Sequence, residues 1–424
     1  MTDEQNAASQ QQQTGRGIPY PVRFALFYLF FYGGLNPIVT YMNLYLEKDV
    51  HLTGSQIGTY QAVTMFVTMA AIPLIGMLGD RTRRYKSLLI GFTAAAVALA
   101  FLLWQQRTFV LVLAVGLLFE MSRNSIVPMA DTQIMNYVTR HGSNYGQMKS
   151  CGSFGAVVGG VLVGLLADRT GVGGTLFPYY MGVMTAALLL AISFPNGTGR
   201  APAQGRAAVV PGNPAKGSGA ASGAPARKKG GLKELLKNRD FLLVLFLSFT
   251  CNNLGDTVTG YAGNHLVVTM GAPTSMISVS TFLMCVPEII LLTQLNRRMI
   301  PKLGFHRIYI FATIGALLRF AIYFLAPTPQ LFLVGSVFHC CYSVVNMAVH
   351  VTVLRKVVPS DVFGTAVAAL NAVFMFAKAF YGYIFGIIYQ YQGSRMIFVL
   401  AFCIAAVSCV TAVTTKRFDR LQAG

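Results

Sequence analysis

"FVLVLAVGLLFEMSRNSIVPMADTQIMNYV", residues 109–138, starts as an apolar run and then takes on Glu120, Arg123 and Asp131 with no break in its helical pattern. As one helix it is about 45 Å long, more than enough to cross about 30 Å of hydrocarbon. A charge at the bilayer centre costs roughly 3 kcal/mol or more. The segment therefore reads as a membrane helix whose ionisable groups turn toward other helices.

The rest of the chain has the same character. Of 424 residues 54% are hydrophobic and 11% charged, whereas ordinary soluble domains carry about 25% charged residues. Apolar runs of helix length recur along it, which excludes a barrel of alternating strands. The composition implies an all-α membrane protein with twelve spans, near 22–46, 56–78, 86–105, 109–138, 144–167, 174–194, 239–266, 273–296, 305–326, 330–354, 361–390 and 394–415. Polar residues 1–20 lack the basic and apolar regions of a cleaved signal. Residues 196–237, rich in Gly, Ala, Pro and Lys, cannot form a core and read as a flexible basic linker. Its end, "LKELLKNRDF", is either a surface-lying amphipathic helix or the frayed start of the seventh span.

The net charge of +19 has two readings, a polyanionic partner or membrane topology. Position decides between them. Lys and Arg crowd the segment before the first span, residues 81–86, Arg140, the linker, residues 297–307, Arg355, Lys356 and the 416–424 tail, whereas the alternate loops hold Lys48, Arg107, Arg169 and Arg395. That bias is the positive-inside rule, with both termini cytosolic. It removes the need for nucleic acid and implies a multi-pass protein of a cell membrane, a bacterial inner membrane by expectation. The seven cysteines lie inside apolar runs at no metal-ligand spacing, so neither disulfides nor a metal is expected.

Six spans, a linker and six spans is the pattern of two bundles, 21–195 and 238–415, related by an axis along the membrane normal. The junctions "GMLGDRTRRYKSLLIG" and "QLNRRMIPKLGFHRIYIF" are basic turns at matching positions of the two halves. The first resembles the cytosolic loop motif of the major facilitator superfamily, carried by Gly76, Asp80, Arg81, Arg84 and Lys86. The resemblance implies a gating latch in which Asp80 meets a helix amino terminus and nearby arginines. Arg83 stands where the family usually has Gly.

Ionisable groups inside spans are the acids Glu120, Asp131, Asp256 and Glu288 and the bases Arg123, Lys149, Arg319 and Lys378, with His339. Acids and bases balance, so they are expected to face the interior and pair. "VPMADTQIMNYVTRHGSNYGQMKSCGSFG" is similar to the helix 4–5 region of the branch that holds lactose and phenylpropionate permeases. The resemblance implies that Asp131 and Lys149 bind substrate. Ala156 stands where lactose permease stacks an aromatic residue on galactose, which argues against a galactoside. "CVPEIILL", "LLRFAIYFL" and "VFHCCYSVV" look like that branch's proton-coupling cluster, through Glu288, Arg319 and His339, with Tyr342 in place of a second carboxylate. Asp256 and Lys378 match a structural charge pair.

Physical chemistry supports the same roles. A proton carrier needs a group that titrates near working pH, and burial disfavours a carboxylate's charged form. Glu288 suits that task; His339 either relays the proton or is a satisfied structural histidine. Glu120 and Arg123, three apart on one helix face, either neutralise each other or join the site. Helix breakers near Asn36 in the first span and Asn252 in the seventh form a matched pair of interruptions, which points to a midplane site containing both. The glycines of "CGSFGAVVGGVLVG" read as close helix packing.

No phosphate loop, His-Glu-x-x-His or nucleophile elbow appears, so no enzyme activity, no cofactor and no direct use of ATP is expected. The expectation is a monomeric secondary transporter that imports a small polar solute, a sugar, nucleoside or aromatic acid, with a proton. The rivals are a proton-driven exporter of amphipathic compounds and a non-transporting membrane sensor or scaffold.

Overall fold

The computed structural model describes residues 18–82, 84–141, 143–195, 235–295, 299–359 and 362–415. Residues 1–17 and 416–424 and most of the expected linker, 196–234, lie outside them.

All regular structure among the described residues is helical: α1 Tyr20–Lys48, α2 Gly54–Thr82, α3 Tyr85–Gln105, α4 Phe109–His141, α5 Tyr145–Thr170 and α6 Val172–Ile192 in the first half. The second half holds α7 Arg239–Thr269, α8 Ser275–Gln294, α9 Ile300–Leu325, α10 running from Pro329 to Val357 in pieces, α11 Phe363–Gln392 and α12 Ser394–Thr414. Eleven of these are long and apolar enough to cross a membrane. The exception is α10, whose apolar part, Pro329–Val344, is short. It was expected as one span, 330–354, but Phe338 adopts a turn geometry (φ −71°, ψ −6°) between Pro329–Val337 and His339–Val344. A π-helical turn, Val345–Val349, then precedes His350–Val357.

Local sequence explains the helix ends. Asn144 accepts the Gln147 N–H to cap α5, and Asn238 accepts those of Asp240 and Phe241 to cap α7. Pro21 and Pro329 stand in the first turns of α1 and α10, where a missing N–H costs nothing. Gly171 between α5 and α6 (φ 81°, ψ 163°) and Gly393 between α11 and α12 (φ 82°, ψ 169°) share a backbone geometry open essentially to Gly alone. The same tight reversal thus stands at matching junctions of the two halves.

Small residues set the closest approaches. A Cβ on Gly155 would strike the Leu29 carbonyl, and one on Gly159 the Gly33 carbonyl, so α5 lies directly on the backbone of α1. Between halves, α2 meets α11 where a Cβ on Gly54 would come 2.7 Å from the Gly386 oxygen and one on Gly58 2.8 Å from that of Gly382. Further cross-half hydrogen bonds cluster at this same end: Tyr41 to Ser278 (2.7 Å), Ser278 to the Gly160 carbonyl (2.8 Å) and Asn43 to the Gly260 carbonyl (3.1 Å). The Asp168 carboxylate accepts the Ser275 N–H at the start of α8 (3.2 Å).

Candidate functional site

Two polar clusters sit among the apolar helices, one in each half. In the first, α4 presents Asp131 between α1 and α5. Its Oδ2 accepts a bond from Lys149 Nζ at 2.7 Å, and its Oδ1 accepts one from the Tyr28 hydroxyl at 2.6 Å. Lys149 also donates to the Tyr145 hydroxyl at 3.0 Å, and its ammonium lies 5.4 Å from the Tyr145 ring centroid and 6.0 Å from that of Tyr28. Tyr145 precedes Lys149 by one helical turn, so α5 itself supplies both sides of the contact. Lys149 keeps 33% of its side chain exposed against 13% for Asp131. The pair is therefore partly open, on its Lys149 side.

Glu120 and Arg123, about two to three turns earlier on α4, are sealed, at 5% and 6% exposure. Arg123 Nη2 bonds Glu120 Oε2 directly, and Asn124 adds a bond to the same oxygen at 3.1 Å. They neutralise each other locally, and their burial keeps them away from a solute-filled space. Removing either would leave an unpaired buried charge, at a cost of about 3–5 kcal/mol.

The second cluster joins four helices. Arg319 on α9 is fully buried. It donates to the Tyr342 hydroxyl, to Tyr323 (3.0 Å) and Thr259 (3.1 Å), and to His339 Nδ1 (3.0 Å). Guanidinium has donors only, so Nδ1 must accept, and a neutral imidazole then carries its proton on Nε2. That nitrogen lies 3.7 Å from Glu288 Oε2, while the carboxylate takes a 2.8 Å bond from Ser343. His339 thus stands between Arg319 and Glu288, keeping base and acid out of direct contact. The expectation that every intramembrane charge pairs fails for Arg319, because hydroxyls and an imidazole take the bonds of its Nη1 and Nη2, while its Nε finds no partner among the described residues.

Three other expectations change. Asp256 and Lys378 form no ion pair among the described residues; Lys378 Nζ lies instead 4.6 Å from the Phe374 ring centroid, and Asp256 senses Lys378 and Arg319 at longer range. Asn252, expected to line the cavity, is buried within the second half and meets His350 Nε2 at 2.5 Å. It sits in a π-helical turn, Ser248–Asn253, that swings it toward α10. Asn36 spends its amide N–H on the Ala156 carbonyl (2.8 Å), tying α1 to α5. At the loop motif, Gly76 has open space around it and Arg81 and Arg84 are exposed with no ion pair among the described residues, while the Asp80 side chain lies outside them.

The residues that sequence reasoning missed as partners are Tyr145, Tyr323, Tyr342 and Ser343. Each lies three or four positions along a helix from an ionisable group or on the face that group uses. Reading i±3 and i±4 neighbours of Lys149, Arg319 and His339 would have found the three tyrosines.

A family model described as the MFS_1 like family matches residues 22–400. The chain belongs to this family of major facilitator transporters. Among curated relatives, the uncharacterized transporter YwbF of Bacillus subtilis (strain 168) is 25% identical over 307 residues, 71% of this chain and 69% of that one. The maltose permease of Geobacillus stearothermophilus is 24% identical over 351 residues, 82% of each chain. Among solved structures, the nucleoside transporter NupG superposes with a TM-score of 0.75 at 12% identity, covering 95% of this chain and 99% of that one. A D-xylose-proton symporter does so with a TM-score of 0.64 at 15% identity, covering 94% and 96%. At such identities these likenesses carry the major facilitator fold alone. The chain is a multi-pass membrane transporter and not an enzyme.

Proposed function

We propose that this major facilitator protein is a proton-coupled symporter that imports a small polar solute by alternating access between two six-helix bundles, 21–195 and 238–415. In this reading α10 completes twelve spans, the basic segment 196–237 links the bundles, and both termini are cytosolic at a bacterial inner membrane, the protein working as a monomer. The observation that carries it is the pair of buried polar clusters, one per half, of which the first is charge-paired and the second holds its acid and base apart. A maltose permease among the relatives and nucleoside and D-xylose-proton transporters among the structural neighbours support solute import of this class.

Asp131 and Lys149 hold the solute from the first half. The carboxylate accepts hydroxyl or amino hydrogens, and the ammonium of the partly exposed Lys149 meets oxygens. Glu288 takes the proton. When it is neutral, the ring proton of His339 Nε2 loses its anionic neighbour; when it ionises, that neighbour returns. His339 and Tyr342 transmit the change to Arg319, whose contact with Thr259 ties the cluster to α7.

The deciding experiment is uptake of labelled sugars, nucleosides and aromatic acids into proteoliposomes with and without an inward proton gradient. Gradient-driven accumulation of one class, lost in Glu288→Gln while solute exchange persists, is the expected result. Unaltered gradient-driven accumulation in that variant would sink the role given to Glu288. Accumulation only against an opposing gradient would make the protein an exporter, and no transport of any class would leave the sensor reading.

A further inference from the structure

Two seams between the halves converge at one end of the molecule. On the first, residues 43 and 47 of α1 face residues 260 and 264 of α7: Asn43 donates to the Gly260 carbonyl at 3.1 Å, and Glu47 accepts the Asn264 amide. On the second, α2 meets α11 through Gly54 and Gly58 against Gly386 and Gly382. Gln61 of α2 ties the two together. Its amide donates to Asn43 at 2.7 Å, and a Cβ on Gly382 would come 2.7 Å from its oxygen. One turn further in, the packing ends. Residues four apart share a helix face, so the rung after 43 and 260 is 39 and 256, and there Val39 is 54% exposed although every residue from Tyr41 to Leu46 is buried. On α11 the same step inward from Gly382 reaches Lys378. Asp256 and Lys378 are both half-buried, and neither makes a hydrogen bond or an ion pair among the described residues. Lys378 Nζ lies 4.6 Å from the Phe374 ring centroid, and Asp256 senses the ammonium only at longer range.

We infer that Asp256 and Lys378 form a second solute subsite, left unpaired so that a solute hydroxyl bridges them, and that with Asp131 and Lys149 it selects a neutral oligosaccharide of two or three rings. A half-buried carboxylate and ammonium without polar contacts are costly to hold. A hydroxyl answers both, since it donates to the carboxylate and accepts from the ammonium, and bonds to charged groups are roughly twice as strong as neutral ones. One acid and one base stand at each subsite, so an ionic solute would leave a group of its own sign unanswered; the solute they match carries no net charge. Spacing along α1 sets its length. Tyr28, which bonds Asp131, and Val39, which faces the Asp256 level, are eleven residues apart on nearly the same side of the helix, or about 16 Å along its axis. One sugar ring does not reach from one subsite to the other, and two or three do. This class narrows the polar solute proposed above and rests on that reading.

The subsite is tested by equilibrium binding to the purified full chain in nanodiscs. The probes are glucose, xylose, maltose, sucrose, maltotriose and raffinose, with uridine and 3-phenylpropionate for the other solute classes. The tightest binding is expected for a sugar of two or three rings, about tenfold or more above either monosaccharide. Asp256→Asn and Lys378→Gln should each lower that affinity about tenfold or more, toward the level of the monosaccharides. The double variant Asp256→Asn, Lys378→Gln should stay as weak. Recovery of the affinity in the double variant would make the two residues a structural charge pair and overturn the subsite. Val39→Phe keeps both charges and narrows the space beside Asp256; it serves where the charge variants do not fold, with the same loss expected. Unchanged affinity for the longer sugar in these variants also overturns the subsite. Tightest binding of a monosaccharide, of uridine or of 3-phenylpropionate, or no binding of any sugar, overturns the solute class. Binding at equilibrium needs no gradient, so a failure of proton coupling would not touch this result.

Discussion

The two halves solve one problem, ionisable side chains buried in a membrane protein, in opposite ways. In the first half the two acids of α4 each meet a base: Arg123 bonds Glu120, and Lys149 bonds Asp131. In the second half Arg319 and Glu288 are kept apart by His339, and Asp256 and Lys378 do not pair. A paired set is electrostatically complete and resists change. A set whose acid and base are separated by a titratable imidazole and a tyrosine is easily re-sorted by one proton. In the proposed function, positioning of the solute falls to the first half and switching by a proton to the second.

The largest effect that would sharpen this contrast is expected at the sealed pair. Glu120→Ala or Arg123→Ala should each destabilise the protein by about 3–5 kcal/mol, and the combined Glu120→Gln, Arg123→Met variant should recover most of that loss. Thermal unfolding of the purified single and double variants measures it; additive losses would mean the two residues act separately. The two hairpin glycines come next. Gly171→Ala and Gly393→Ala force a side chain into a Gly-only backbone region and should each cost about 1–3 kcal/mol, with similar losses because the halves share the turn. Unequal melting-temperature shifts would break that equivalence.

At the open pair, Asp131→Asn should weaken solute binding about 10- to 100-fold, since it removes the charge that orients Lys149, Tyr28 and the solute together. Isothermal titration with whichever solute class is transported would read it, and unchanged affinity would remove Asp131 from the binding set. The smallest effect is expected from Tyr342→Phe, which takes one neutral acceptor from Arg319 and should cost about 1 kcal/mol of stability. Its sharper signature is a shifted pH profile of uptake, because His339 and Arg319 then meet without the hydroxyl between them. A profile that superposes on the wild type would make Tyr342 a packing residue only.

Much of this was legible in the sequence because membrane burial makes polarity conspicuous. Asp131, Lys149, Glu288, Arg319 and His339 stand out in apolar runs, and each does meet at least one other of the set. The glycines of α5 were readable as helix packing for the same reason, since small residues at regular spacing have few other uses in hydrocarbon. What escaped were contacts whose partners are ordinary on their own. Tyr342 was visible as a missing carboxylate but not as the hydroxyl that bonds Arg319 and lies 2.8 Å from His339 Nδ1. Glu47 lies just past the expected first span, 22–46, and its bonds to Asn264 and Tyr389 of the other half left no mark in the sequence. Asn252 looked like a cavity residue until the π turn of α7 rotated it onto His350.

The sequence by itself determined the order of the apolar segments, the bias of Lys and Arg along them, and which side chains are too costly to face lipid. These follow from transfer free energies, which depend on composition and spacing within one helix. Only the tertiary structure decided who pairs with whom: that Arg319 meets hydroxyls and an imidazole, that Asp256 and Lys378 stay apart, and that Glu47 spans the seam between halves. Those outcomes depend on helix rotation, on the π turns of α7 and α10 and on the closeness that glycine allows between backbones. They are set by packing between helices distant in sequence, which no single-helix pattern records.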